Sequence, residues 1–341
     1  MTESKSIAII NGMPDAANEP LDNFLEQCTQ SSSQLVNSKP TPIPYLLDSL
    51  PLIIRGNYHL LTGPVGNMKS MLSLYLAGEL SKKEKVLFVD KENGLLMIQA
   101  RARALGIPET ENLYYWCERP GMSKEETPPD FKTGFKLYER IVREWKSPVL
   151  IFDTLNRFCP GADENSVKDM TFVTDCLMKL RNLGATVIAL HQVGKPSIEK
   201  GYQNYRGSSE IAGGMDIGLT IKNFTQATEN SASFTIHQFK TRWLPHPPIQ
   251  VVFEFGIFNF LPEFMNPERF FSLRKAVTEY LSKNPEVRGE EIKQAMSSKS
   301  YGGHPVKATS WMLANCWKNY WIRLGGPMNS FVYKNLPIAS K

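Results

Sequence analysis

The sequence Gly63-Pro64-Val65-Gly66-Asn67-Met68-Lys69-Ser70 stands between an apolar run of strand length, 58–62, and a stretch with helical spacing, 71–80. Two glycines followed by Lys-Ser between a strand and a helix are typical of a phosphate-binding loop. The reason is that backbone N–H groups and a helix N-terminus can surround phosphate oxygens. The alternative interpretation is a chance loop of Gly, Lys and Ser.

The polar residues of this loop have expected roles toward ATP. Lys69 is expected to contact the β- and γ-phosphates, and the Ser70 hydroxyl to hold Mg²⁺. The predicted ATP-binding segment extends from Gly63 through Met71. Met68 departs from the usual pattern, in which glycine precedes the lysine. A side chain is compatible with the loop at this position if its φ is negative.

Two later strands bring acidic residues to the same site. The apolar run 149–153 ends in Asp153, which is expected to serve the metal ion and is otherwise an N-cap of the next segment. The run 86–90 is followed by Glu92, at the carboxyl edge where open α/β sheets bind ligands. A carboxylate there can polarise a water molecule for attack on the γ-phosphate. Asp90 is a rival for this role, and Glu92 is otherwise a surface residue.

The order of apolar runs predicts an α/β fold. Runs at 58–62, 86–90, 149–153, 186–190 and 217–221 alternate with helical stretches, so they predict a parallel sheet covered on both faces. Runs at 233–239, 251–255 and 257–261 follow without helices and predict an antiparallel extension. The predicted nucleotide-binding domain covers 41–262, and 1–40 is predicted to be a disordered tail.

A second, smaller domain is predicted at 268–341, after a linker bracketed by Pro262 and Pro267. Three helical stretches and an alternating segment that turns at Gly325-Gly326 follow the order of a winged-helix module. This domain carries 12 Lys and Arg against 5 Asp and Glu, which favours contact with duplex DNA. Lys307 and Lys318 on the third helix are the candidate contacts. A protein-docking fold or a solvated basic face are the alternatives.

The composition excludes several classes of protein. No apolar run reaches about 18 residues, so no membrane span is expected. The first 40 residues lack the pattern of a secretory signal. Five scattered cysteines without a Cys-x-x-Cys pair argue against disulfides and a thiolate zinc site, and favour a cytoplasmic location.

In their order and spacing, these motifs resemble those of the RecA-like P-loop ATPases. The most similar subset is the DnaB/RepA type of hexameric helicases with related plasmid and phage ATPases. The resemblance covers 46–261 and includes Leu190-His191-Gln192, Tyr205-Arg206-Gly207-Ser208-Ser209, Asp216 and Lys240-Thr241-Arg242. It implies that Gln192 senses the γ-phosphate. It also implies that Lys240 and Arg242 act on the site of a neighbouring subunit, as an arginine finger does. A solvated cation pair at a strand end is the alternative.

The resemblance implies a DNA-dependent motor that associates with itself as a ring or filament: a replicative helicase or a related replication ATPase of a mobile element. Candidate loops for single-stranded DNA are 157–167 and 195–206. The second loop carries Lys195, Lys200 and Arg206 with interleaved tyrosines, and is otherwise an ordinary surface loop. A RecA/RadA-type recombination ATPase and an ATP-switched DNA-binding regulator or helicase loader are the competing hypotheses.

Overall fold

The computed structural model describes residues 29–39, 42–163, 166–192, 209–325 and 331–336. The chain divides into two units, Met1–Pro44 and Tyr45–Lys341. In the first unit, helix α1 (Ser32–Asn37) begins after Ser31, whose hydroxyl accepts a hydrogen bond from the Gln34 N–H in a capping box. This part of the predicted tail is therefore helical.

The second unit begins with alternating strands and helices. These are β1 (Tyr58–Gly63), α2 (Lys69–Leu80), β2 (Val86–Asp90), α3 (Leu95–Ala104), β3 (Leu113–Cys117), α4 (Phe131–Trp145), β4 (Val149–Asp153), a 3₁₀ turn (Leu155–Phe158), α5 (Val167–Asn182), β5 (Thr186–Gln192), α6 (Ser209–Gly214) and β6 (Ile217–Thr228). Strands β7 (Ser231–Thr241), β8 (Ile249–Glu254) and β9 (Ile257–Leu261) follow without helices.

These strands form one nine-stranded sheet in the order β3-β2-β4-β5-β1-β6-β7-β8-β9. Strands β1 to β6 are parallel, and β7 to β9 are antiparallel. The predicted α/β fold with an antiparallel extension is confirmed. Edge strand β3 was not predicted, because Tyr114 and Tyr115 are exposed and the strand does not read as a buried apolar run.

The parallel register brings four strand ends to one edge of the sheet. Gly63 at the end of β1 pairs with Gln192 of β5, and Asp90 of β2 pairs with Asp153 of β4. Strands β1, β2 and β4 are buried along their whole length, which explains their continuous apolar sequences. The loops that leave this edge therefore converge on one place.

An aromatic cluster fixes the end of β4. The Phe152 ring lies edge-on to the rings of Phe131, Tyr138 and Phe158, with centroids 5.3, 5.4 and 5.0 Å away. All four side chains are fully buried, and such pairs add stability beyond the area that they bury. Asp153 directly follows Phe152, so this packing fixes the backbone position from which the Asp153 side chain extends.

The C-terminal part of the second unit contains α7 (Pro267–Lys283), β10 (Val287–Arg288), α8 (Gly289–Ser297), a 3₁₀ turn (Lys299–Tyr301), α9 (Val306–Tyr320), β11 (Trp321–Gly325) and β12 (Phe331–Asn335). The strands form a separate sheet in the order β10-β12-β11. The three predicted helices are present, while the two-residue strand β10 is too short to be recognised from sequence. The assignment of a winged-helix module stays a prediction.

A polar contact joins these C-terminal elements to the large sheet. The Arg274 guanidinium on α7 lies 2.8 Å from the Glu254 carboxylate at the end of β8, whose side chain is 5% exposed. Burial raises the pKa of Glu254, and the Arg274 charge opposes this shift. The Asn259 amide of β9 also donates a hydrogen bond to the Tyr320 hydroxyl at 3.2 Å. The segment after Pro262 is therefore packed against the sheet rather than only tethered to it.

Two further features bear on the class of protein. No helix in the part of the chain that the structure describes is long and apolar enough to cross a membrane. The four cysteines among the described residues are buried and form no disulfide.

We expect Arg274→Met to lower the free energy of unfolding by about 3 kcal/mol, because it leaves the buried Glu254 carboxylate without its cation. Urea denaturation measures this change. Lys283→Met is the matched control, since it removes an exposed pair with Glu279 on the same helix and should change little. Equal midpoints for Arg274→Met and the control would show that the buried pair does not hold the two parts together.

Candidate nucleotide-binding site

The predicted phosphate-binding loop connects β1 to α2. The Lys69 ammonium donates hydrogen bonds to the carbonyl oxygens of Gly63 and Pro64, both at 2.8 Å. Burial lowers the pKa of Lys69, and the charges of Asp153 and Glu92 oppose the shift. Lys69 thus lies across the loop, where it can exchange two carbonyl oxygens for the oxygens of a phosphate.

Met68 has an unfavourable backbone conformation. Its φ is 59° and its ψ is 17°, in the left-handed region. The condition under which a side chain is compatible with the loop, a negative φ, is therefore not met, and Met68 adopts a left-handed conformation directly before α2. The conformation costs a residue with a Cβ about 1–2 kcal/mol. Gly66 is also left-handed, with a φ of 85°, but without this cost.

Asp153 is the candidate metal ligand of the site. The residue is 1% exposed, and its carboxyl Oδ2 atom has no hydrogen-bond partner among the described residues. Burial, followed by the nearby Asp90 charge, raises the pKa of Asp153 to about 7, while a hydrogen bond from the Ser70 hydroxyl opposes the shift. A buried oxygen of this kind beside a hydroxyl fits a divalent cation.

The donor set is suited to Mg²⁺. Within the described ranges, no three His, Cys, Asp or Glu side chains form a cluster that could hold a metal ion by themselves. Mg²⁺ usually takes only one or two protein oxygens, and phosphates and water complete its coordination. Ser70 and Asp153 match that arrangement.

Asp90 and Glu92 have different roles. The Asp90 carboxylate accepts hydrogen bonds from the backbone N–H groups of Glu92 (2.8 Å) and Asn93 (2.7 Å), and from the Asn93 side chain (3.0 Å). Asp90 therefore holds the turn after β2, and its oxygens are occupied. Glu92 is exposed and lines the same cavity as Lys69. The geometry favours Glu92 as the residue that contacts the attacking water.

One cavity of about 240 Å³ brings the predicted residues together. It is lined by Val65, Gly66, Asn67, Met68, Lys69, Ser70, Met71, Glu92, Arg101, Asp153, Thr154 and Gln192. Gly63 and Pro64 contact it through the Lys69 ammonium. A larger cleft of about 530 Å³ lies beside it, lined by residues that include Lys91, Asn156, Arg157 and His191. The smaller cavity is the candidate phosphate site, because it contains the glycine loop and Asp153.

Arg101 was missed by the sequence analysis. It lies on α3, lines the cavity, and its charge acts on Asp90 and Asp153. Its Nη1 atom is buried and makes no hydrogen bond within the described part of the chain. The sequence shows Arg101 and Arg103 in one helix, and nothing in it distinguishes the arginine that faces the cavity.

The family of the chain follows from a comparison with known proteins. A family model described as "AAA domain" matches residues 24–197, just over half of the chain and including this whole cavity. The chain belongs to the AAA domain family. The match and the sheet order confirm the predicted RecA-like P-loop ATPase.

Among solved structures, the AAA domain protein is similar to one titled "ATPase Domain of G40P". The identity is 17%, the TM-score is 0.47, and the match covers 61% of this chain and 86% of the other. No curated protein matches the sequence.

Lys240 and Arg242 of the AAA domain protein lie away from its own cavity. Thr241 pairs with Ile217, and Ile217 is level with His59 near the start of β1. The loop Gly63–Ser70 leaves the other end of β1, so about 13 Å of strand separates the two places. The structure therefore does not join Lys240 and Arg242 to the residues that line the cavity.

The predicted DNA contacts lie elsewhere. Lys195, Lys200 and Arg206 are outside the described residues. Lys307 and Lys318 are exposed on α9, with ammonium groups 4.2 Å from the Phe264 ring and 5.5 Å from the Trp317 ring. Neither lysine approaches the nucleotide site.

Met68→Gly is expected to raise the free energy of unfolding by about 1 kcal/mol, because glycine adopts a left-handed conformation without a Cβ clash. Thermal unfolding without nucleotide measures the change. Met68→Ala is the control, since it removes the side chain beyond Cβ but keeps the strain, and should not stabilise the protein. Equal stabilisation by both substitutions would assign the effect to the side chain instead of the backbone.

Proposed function

We propose that this AAA domain protein is an ATP-hydrolysing, DNA-dependent motor that acts as an oligomer: a replicative DNA helicase or a related replication ATPase of a mobile element. The main supporting observation is the position of two groups of residues in one sheet. The glycine loop and Asp153 lie at the carboxyl ends of the parallel strands, and Lys240 and Arg242 lie toward the opposite ends of the same strands.

The first part performs nucleotide binding and water activation. Lys69 binds the phosphates, and Glu92 orients the attacking water and accepts its proton. Gln192 at the end of β5 contacts the γ-phosphate. Ser70 and Asp153 would hold Mg²⁺, and the bound ion would neutralise charge on the phosphates of ATP.

The second part is the cationic pair Lys240 and Arg242, which lies away from the phosphate-binding loop of the same chain. Lys240 and Arg242 both donate to the Gly213 carbonyl oxygen, at 3.1 and 3.3 Å. Burial and the neighbouring Arg242 charge lower the pKa of Lys240. An anion brought to this place would relieve that repulsion. The γ-phosphate of ATP bound to a second copy is such an anion.

Exposed apolar side chains flank both parts. Trp243 and Leu244 follow Arg242 and are 41% and 74% exposed, while Val65 and Leu96 beside the phosphate cavity are 78% and 76% exposed. Contact between the two surfaces of different copies would bury these side chains. Such a head-to-tail contact is heterologous, so it produces either a closed ring or a filament.

DNA dependence is supported by the larger cleft beside the phosphate cavity. Lys91 and Arg157 bring positive charge to its lining, which also contains the acidic residue Glu118. Lys91 directly follows β2, and the 3₁₀ turn follows Asp153, so a single strand of DNA bound there would contact segments next to the nucleotide site. Lys307 and Lys318 are the proposed contacts for duplex DNA, and Lys195, Lys200 and Arg206 for a single strand.

Glu92→Gln tests the hydrolytic assignment. We expect normal binding of Mg-ATP and a turnover about 10² to 10⁴ times slower, because the variant loses its proton acceptor but keeps Lys69. Steady-state phosphate release with and without single-stranded DNA measures turnover, and a fluorescent nucleotide measures binding. Asp90→Asn is the comparison: a larger loss of turnover there, with Glu92→Gln active, would assign the water to Asp90. A parent protein that binds ATP without any turnover would favour a nucleotide-switched regulator.

A mixture of two inactive variants, Lys69→Ala and Arg242→Ala, tests the shared site. We expect partial recovery of ATP hydrolysis, since roughly a quarter of the head-to-tail contacts in an equal mixture combine an intact loop with an intact Arg242. Arg140→Ala removes an exposed arginine from α4 and is the control, with parental activity expected. The shared site is wrong if Arg242→Ala alone keeps full turnover, or if both variants assemble and their mixture recovers nothing.

A further inference from the structure

A single buried carboxylate connects the proposed second half of the site to the strand that leads into the phosphate loop. We infer that Asp216 is the positioning residue for Arg242: its carboxylate fixes the guanidinium in the place from which it reaches the nucleotide of a neighbouring copy. This inference rests on the proposed function. Asp216 does not touch nucleotide and acts through Arg242.

The Asp216 carboxylate has little freedom to move. Its Oδ2 atom accepts a hydrogen bond from the Tyr58 backbone N–H at 2.8 Å, and its side chain is 3% exposed. Its Oδ1 atom accepts from the Arg181 guanidinium on α5 at 2.7 Å. Held by a strand on one side and a helix on the other, the carboxylate is a fixed anchor.

Arg242 attaches to this anchor through side chain and backbone. Its Nε lies 3.4 Å from Asp216 Oδ1, and its backbone N–H donates to the Asp216 carbonyl oxygen at 3.0 Å. The Arg242 side chain is 51% exposed. An arginine this exposed has many rotamers and loses up to about 2 kcal/mol of conformational entropy when it is fixed. The contact with Asp216 already restricts the Arg242 side chain, so part of this conformational entropy is lost before a neighbouring copy binds.

The balance of charge supports the same role. Among the described residues, Arg181, Lys240 and Arg242 all interact with Asp216. Burial and the neighbouring Arg242 charge lower the pKa of Lys240, and the Asp216 charge opposes that shift. Asp216 therefore offsets the repulsion between Lys240 and Arg242, which favours keeping the two side chains together.

A purely structural role is the competing explanation, because the pair Arg181–Asp216 is largely buried and its loss is costly. The double variant Arg181→Met/Asp216→Asn separates the two roles. Asn keeps an acceptor for the Tyr58 N–H, and Met removes the largely buried Arg181 cation that would otherwise lose its partner. Arg181→Met alone keeps Asp216 beside Arg242 and is the matched control. Thermal unfolding and sedimentation establish that both variants fold and assemble.

If Asp216 positions Arg242, the double variant should lose about 10- to 100-fold in kcat relative to Arg181→Met, since small misplacement of a catalytic group has effects of this size. The KM for ATP should be unchanged, because the phosphate loop is intact. Equal kcat in the two variants, or a loss confined to KM, would overturn the inference.

Mixing experiments locate the defect. The double variant mixed with Lys69→Ala should recover activity, because the Lys69→Ala copy supplies an intact Arg242 and the double variant an intact phosphate loop. Mixed with Arg242→Ala, it should recover nothing, since both carry a defect in the same half. The opposite pattern would place the defect in the phosphate loop and reject the positioning role.

The single variant Arg242→Ala distinguishes the inference from the proposed function on which it rests. If Arg242→Ala is fully active, the proposed shared site is wrong. If Arg242→Ala is inactive and the double variant is as active as Arg181→Met, only the inference about Asp216 is wrong.

Discussion

The site depends on the placement of two carboxylates, Asp90 and Asp153, at the ends of adjacent parallel strands. Their direct pairing in the sheet buries both groups, and burial raises the pKa of each. Asp90 is satisfied by hydrogen bonds from the turn that it caps, whereas Asp153 keeps an oxygen without a partner among the described residues. A divalent cation bound to that oxygen would offset the unfavourable electrostatics of Asp153, beyond what the Ser70 hydroxyl and the Arg101 charge achieve. Ligand binding and local stability are therefore linked at this position.

The reversal of chain direction after β6 separates the two parts of the proposed hydrolytic site. A further parallel strand would end at the same edge as Gly63 and Asp153. Because β7 is antiparallel, its last residues lie level with the first residues of β1 and β6. Lys240 and Arg242 are thus placed beyond the reach of the chain's own phosphate loop. The proposed self-association is a consequence of sheet topology as much as of any single contact.

Much of this arrangement was predictable because it is local in sequence. The buried strands read as continuous apolar runs, and the glycines, Lys69 and Ser70 form one uninterrupted segment. Strand β3 was missed because an edge strand need not be apolar on both faces. The Met68 conformation could not be predicted, because φ depends on how the loop closes between β1 and α2, which residue identity alone does not reveal. Arg101 was missed because the side of α3 that faces the cavity depends on tertiary packing.

The contacts between distant segments were the least predictable. Pro262 and Pro267 suggested a linker between two domains, and the structure adds contacts across it: Arg274 reaches back to Glu254, and Val252 and Leu261 share an apolar cluster with α7. The C-terminal elements are consequently attached to β8 and β9, in the same antiparallel extension whose strand β7 ends directly before Arg242. Strand β9 also packs on α2, the helix that begins at Lys69, because the Tyr75 ring lies 5.1 Å from the Phe258 ring. In a head-to-tail oligomer, this connectivity would couple the C-terminal part of each copy to its own nucleotide through α2, and to the nucleotide of its neighbour through β8 and β7.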